Sequence, residues 1–112
     1  NEGLMDLVSC GAHLVFLVTG RGNVIGSAIG PCIKVTGNAA TYARMTGDMD
    51  FDASPILTGK ESQEETTERL MKMVAEVASG TQSKSESLGH KEFFIPYKYQ
   101  EKAVAFTCGC KM

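Results

Sequence analysis

The order of strand-like and helix-like segments predicts an α/β domain: a mostly parallel sheet in a Rossmann-like, three-layer arrangement. Three observations carry this. Residues 13–19 form a near-continuous apolar run, as in a strand covered on both faces. A glycine-rich stretch at 20–31 follows directly, where a parallel sheet has its carboxyl edge and α/β folds bind ligands. Apolar residues then recur at helical spacing through 63–79.

Each element has its own local reason. Leu4 to Val8 read as the end of a helix that began upstream, and the chain opens on Asn1 rather than a methionine. The start is therefore expected to be a boundary inside a longer protein or a processing site. After the first strand and the glycine-rich stretch, Cys32 to Val35 suit a short strand. Asn38 can cap a helix over 39–45, with Gly47 placed to end it. Residues 51–53 suit a short extended segment. Ser62 and Glu65 have the spacing of a capping box, and Glu61, Glu64 and Glu65 suit the positive end of the helix dipole. Leu70, Met73, Val74, Val77 and Ala78 form one apolar stripe, and Gly80 is placed as the helix stop. Residues 81–91 read as a polar loop. Strands are expected at 92–97 and 104–107, with an irregular tail at 98–112.

Composition bounds the rest. At 112 residues the chain fits one domain, and its 43% hydrophobic content is enough for a core. The net charge of −2, with acids and bases interspersed, argues against a nucleic-acid partner. No apolar run approaches the roughly 20 residues of a membrane helix, and no secretory leader pattern is present. Cys108 and Cys110 lack the second half of a zinc site, so reduced thiols and a cytoplasmic setting are expected.

Several groups of residues could carry chemistry. Arg21, between Gly20 and Gly22, could clamp a carboxylate or phosphate with its guanidinium fork. The dinucleotide fingerprint fits poorly, because Ile25 stands where its last glycine belongs, and no lysine follows Gly26 or Gly30 as in a P-loop. Lys84, Glu86, His90 and Glu92 fall within nine residues, where a histidine with carboxylates can be an acid/base pair or contribute to a metal site, although a solvated charged loop is the plainer reading. His13 reads as a satisfied core or edge histidine rather than a catalyst. Asp48, Asp50 and Asp52 alternate but lack the other features of a calcium loop, so a solvated face or turn is favoured.

The run His13-Leu14-Val15-Phe16-Leu17-Val18-Thr19-Gly20-Arg21-Gly22, then Gly26, Pro31, Ile33-Lys34-Val35 and Thr36-Gly37-Asn38, resembles the C-terminal region of the altronate/galactarate dehydratase family. Met49-Asp50-Phe51-Asp52-Ala53, Val77-Ala78-Ser79-Gly80 and Gly89-His90-Lys91-Glu92-Phe93 continue the likeness in order. The resemblance implies one domain, residues 1–112, of a larger metal-dependent hydro-lyase that dehydrates a sugar acid to a 2-keto-3-deoxy acid. It implies small N-terminal and middle domains elsewhere in the protein, and a divalent metal, Fe²⁺ first, held outside this fragment. It assigns substrate contact to Thr19, Gly20, Arg21, Gly22 and Asn38, with Glu86, His90 and Glu92 in support. A sulfolactate-cleaving relative belongs to the same family. Asn23-Val24 and Cys32 depart from the family's usual Thr-Pro and Thr, and Pro96-Tyr97-Lys98-Tyr99-Gln100 with the tail to Met112 departs most from the usual ending of the sugar dehydratases, which bears on the substrate. Two alternatives stand beside this reading: an anion- or nucleotide-binding module built on the loop from Gly20 to Gly30, and a structural domain that serves oligomerisation, for instance of a homodimer.

Overall fold

In a computed structural model the described residues are 2–92. They form an α/β fold in which α1 (Glu2–Ser9) precedes a small sheet of β1 (Val15–Val18), β2 (Cys32–Thr36) and β3 (Phe51–Asp52). α2 (Ala39–Arg44) lies between β2 and β3, and α3 (Ser54–Leu57), α4 (Gln63–Ala78) and α5 (Lys84–Ser87) follow. The sheet order is β1-β2-β3 and both pairings are parallel. Val15 pairs with Cys32, and Val35 pairs with Phe51.

β2 is the centre of the molecule, and all five of its residues are buried. Side chains alternate between the faces of a strand, so it serves two cores. Cys32 joins Val15 and the buried Leu4 and Met5 of α1. Ile33 and Val35 join Phe51 and Val77, with Leu70, Met73 and Val74 of α4 packed alongside. Each such apolar side chain contributes about 1.5–3 kcal/mol when fully buried.

α4 follows its expected pattern closely. Ser62 Oγ accepts from Glu65 N at 3.1 Å, and Glu65 Oε2 accepts from Ser62 N at 2.8 Å, completing both arms of the capping box. Gly80, at φ +105°, ends the helix. Arg69 sits over the Phe51 ring, pairs with Glu61 at 2.8 Å and donates to Asp52 O at 3.0 Å, pinning α4 to β3. Ala78 is exposed and lies off the stripe on which it was expected.

Other expectations are corrected. The first strand is shorter than 13–19, and it is not covered on both faces: Phe16 is 43% and Val18 is 75% exposed. β1 lies at the edge of the sheet, whereas the α4 cluster forms over β2 and β3. No helix forms between β1 and β2; the glycine-rich loop alone makes the crossover. Glycine and proline both disfavour helix there, so the layering departs from a fold whose every crossover is helical. The expected loop at 81–91 contains α5, and α3 was not foreseen. α5 has its own capping box, with Ser83 and Glu86 at the spacing of Ser62 and Glu65. α3 begins with Pro55 in its first turn, and Asp52 Oδ1 accepts from Ser54 N at 2.9 Å. The strand expected at 92–97 falls almost wholly outside the described residues, and the one at 104–107, the tail and Cys108 and Cys110 lie entirely outside them. No helix among the described residues is long and apolar enough to cross a membrane.

Candidate functional site

The residues singled out in the sequence divide between two places. The first is the turn at the carboxyl end of β1. Thr19 N donates to Val35 O at 3.0 Å, carrying the ladder one residue past the strand. Thr19 Oγ1 accepts from Gly22 N at 3.2 Å. Gly22 suits its φ of +92°, a conformation L side chains rarely adopt, and a Cβ there would also press on the flexible end of Met45. Gly20 O accepts from Thr41 Oγ1 at 2.8 Å and from Asn38 Nδ2 at 3.3 Å. Asn38 Oδ1 in turn accepts from Ala40 N and Thr41 N, capping α2. The turn is thus stapled to the start of α2.

This geometry brings Thr19, Gly20, Gly22 and Asn38 together. It also shows what occupies them. The Asn38 carbonyl oxygen is taken by the cap, and one amide hydrogen by Gly20. Arg21 is different: its side chain is exposed, and it forms no ion pair among the described residues. A rigid turn therefore presents a guanidinium to its surroundings. The loop beyond it runs straight into β2, so no helix N-terminus follows to cradle a pyrophosphate as in a dinucleotide fold.

The second place lies where the far half of the glycine-rich loop meets the segment from α5 to Glu92. Gly26 is buried, and a Cβ on it would fall 2.6 Å from His90 O and 2.8 Å from His90 Cβ. Glu92 Oε2 accepts from Gly26 N at 2.9 Å. That hydrogen bond, aided by Glu92's own backbone N–H and by the charges of His90 and Lys34, holds the Glu92 carboxyl below the usual carboxylate range. His90 N donates to Ser85 O at 2.9 Å, and the fully buried Ser85 shares a hydrogen bond with Ser83 Oγ at 3.1 Å. Asp50 clamps α5 onto β2, accepting from Lys34 N at 2.7 Å and from Lys84 N at 2.8 Å. Asp50 is therefore a bridge rather than part of the solvated face expected of the three aspartates. Glu86 is turned back on its own helix cap, accepting from Ser83 N and Oγ.

Sequence reasoning passed over the most unusual residue of this seam. Lys34 is 0% exposed, and its Nζ finds no hydrogen-bond partner among the described residues. His90 Nδ1, also buried, finds none either. The available signal was a lysine inside the otherwise apolar run Cys32-Ile33-Lys34-Val35. Its neighbour Cys32 is inert, since burial pushes the thiol up to about 11. An open concavity lined by Tyr42, Asp50, Asp52, Arg69, Lys72 and Glu76 holds none of the expected site residues. Among the described residues, no three His, Cys, Asp or Glu side chains gather as a metal ion would require. The donor set of the described residues therefore does not fit a metal.

Residues 1–101 match the D-galactarate/altronate dehydratase C-terminal family. The chain is 36% identical over 85 residues to the (2R)-sulfolactate sulfo-lyase subunit beta of Chromohalobacter salexigens, covering 76% of this chain and 22% of that protein. It is 30% identical over 89 residues to the altronate dehydratase of Escherichia coli K12, covering 80% of this chain and 18% of that protein. The chain thus spans about a fifth of the length of these curated relatives. By the extent of the family match, this chain belongs to the D-galactarate/altronate dehydratase C-terminal family.

Proposed function

We propose that this domain forms one wall and an anion clamp of a lyase active site whose principal base and metal lie in other parts of the same protein. The reaction is the dehydration of a sugar acid to a 2-keto-3-deoxy acid. A base takes the proton α to the carboxylate, negative charge develops on the carboxylate as an enediolate, and the β C–O bond breaks as its oxygen leaves as water. The enol that results tautomerises to the 2-keto product. Cationic groups aimed at the developing charge lower the barrier, and this domain's own contribution is Arg21. Thr19, Gly20, Gly22 and Asn38 hold the turn that carries it. Fe²⁺ is the metal expected for the whole enzyme, supplying Lewis-acid stabilisation of the enediolate from ligands outside this domain.

The observation that carries this reading is the family match over residues 1–101, joined to a stapled turn that presents an uncommitted guanidinium. The finer features expected with it are a three-layer Rossmann-like arrangement once the remaining parts are in place, a homodimer, and a cytoplasmic setting in keeping with the buried, unpaired thiol of Cys32. One relative is named as a sulfo-lyase, which supports a second substrate class. There the same α-proton removal would expel a β-sulfonate group as sulfite.

The test is an assay of the full-length protein on aldonic acids, aldaric acids and (2R)-sulfolactate, with and without added Fe²⁺. Formation of a 2-keto-3-deoxy acid supports dehydration, and release of sulfite supports the second class. Absence of both products from every substrate would overturn the proposal. Arg21→Ala is expected to lower kcat/KM by roughly tenfold to a hundredfold, as for loss of a charged hydrogen bond. Unchanged kinetics would remove Arg21 from the site.

A further inference from the structure

Arg21 stands between Gly20 and Gly22, and glycine leaves the backbone more conformational freedom than any other residue. A guanidinium carried there is aimed only if something outside the turn holds the peptide groups beside it. Thr41, in the first turn of α2, does this on both sides of Arg21. The Gly20 carbonyl belongs to the peptide group that ends on the Arg21 nitrogen, and it accepts from Thr41 Oγ1 at 2.8 Å. That bond fixes the plane from which the Arg21 Cα departs. On the other side, Thr41 Cγ2 lies 3.3 Å from where a Cβ on Gly22 would be, so the methyl backs the turn. Thr41 is only 2% exposed, and little water competes for its hydroxyl. Asn38 Nδ2 also reaches Gly20 O, but at 3.3 Å, and the same side chain is engaged in capping α2.

We propose that Thr41 is a positioning residue: it sets where Arg21 carries its guanidinium, without touching substrate itself. The proposal rests on the reading of Arg21 as an anion clamp and names the side chain that aims it. The gain is preorganisation. A charge already held in place loses less freedom when an anion arrives, and a misplacement of about 1 Å can cost on the order of a hundredfold in rate. The two branches of threonine divide the task. The hydroxyl sets the peptide plane before Arg21, and the methyl backs the glycine after it. Serine keeps the first branch and valine keeps the shape, so the two variants separate hydrogen bonding from packing.

The experiment uses the full-length protein with ¹⁵N-labelled arginine, the Arg21 amide being identified by its loss in Arg21→Ala. In Thr41→Val that amide is expected to gain fast backbone motion, read as a reduced heteronuclear NOE, whereas Thr41→Ser should keep the parent value. This measurement does not depend on turnover. With an acid that the protein converts, Thr41→Val should lower kcat/KM by roughly threefold to tenfold, as for loss of one hydrogen bond. The loss should fall on the same parameter, kcat or KM, as the loss in Arg21→Ala, and Thr41→Ser should recover most of it. In an Arg21→Ala background Thr41→Val should change nothing further, because the group it aims is gone. The proposal is overturned if the Arg21 amide is as ordered in Thr41→Val as in the parent, or if Thr41→Ser is as impaired as Thr41→Val. It is also overturned if the loss from Thr41→Val recurs undiminished in the Arg21→Ala background, the pattern that a purely structural role gives. The fate of the clamp is read separately. An impaired Arg21→Ala beside a fully active Thr41→Val sinks the positioning role and leaves the clamp standing; a fully active Arg21→Ala sinks both.

Discussion

The turn at Thr19–Gly22 and the seam around Lys34 are both built from the same glycine-rich loop, yet they differ in how completely their polar groups are satisfied. In the turn, the hydroxyl of Thr19, the carbonyl of Gly20 and the carbonyl of Asn38 all have partners, and the exposed guanidinium of Arg21 forms no ion pair among the described residues. In the seam, two buried nitrogens have none among the described residues. Native proteins pair nearly all buried polar groups, so these two nitrogens are a local exception to the packing of the domain. The turn is a finished support. The seam keeps two buried nitrogens unsatisfied among the described residues.

That contrast can be broken in graded ways. The largest effect is expected from Gly26→Ala, whose new methyl would meet backbone and Cβ atoms of His90 within 2.6–2.8 Å. Overpacking against backbone costs about 1–3 kcal/mol, and chemical denaturation should show a loss near the upper end. A change below about 0.5 kcal/mol would mean that the seam is loose rather than rigid. Asp50→Asn comes next, at about 1.5–3 kcal/mol, because one of its two oxygens becomes a donor facing an N–H. Asn38→Ala removes the cap of α2 and half of the staple, and a loss of about 1–2 kcal/mol is expected. Thr41→Val removes only the other half, costing about 1 kcal/mol; equal losses in these two variants would contradict the separate roles drawn for cap and staple.

The smallest effect is a pH dependence. The Glu92 carboxyl is held below its ordinary range in the folded chain, so it binds protons less readily there than in the unfolded chain. Its contribution to stability is therefore present above the usual carboxylate range and is lost as pH falls through the lowered value. Thermal melts from neutral to acidic pH should show a slightly shallower acid decline in Glu92→Gln than in the parent. An identical decline would detach Glu92 from Gly26.

Much of this fold was legible in the sequence because its signals are local. The capping boxes, the cap at Asn38 and the stripe on α4 are read within a few residues of themselves, and they recur in the structure with their bonds in place. The second capping box was equally legible, but the polar composition of 81–91 masked it. The turn around Arg21 was also found, since glycines flanking an arginine after an apolar strand are visible in order. Lys34 was hidden for a physical reason. A lysine in a strand ordinarily points to water, whereas Lys34 lies in a strand whose every residue is buried by the rest of the fold. Asp50 was misread for the same reason, because both of its partners come from elsewhere in the chain. No pattern within β1 itself told whether α4 would reach over Phe16 and Val18.

The uncovered side of β1 has its own consequence. Among the described residues this strand is hydrogen-bonded to β2 alone, and it carries an exposed phenylalanine and valine on the same side. A short parallel edge with apolar side chains is a template for pairing with another chain. Cut away from whatever normally adjoins it, the domain should self-associate through β1 as its concentration rises. A lysine in place of Val18 should keep it dispersed.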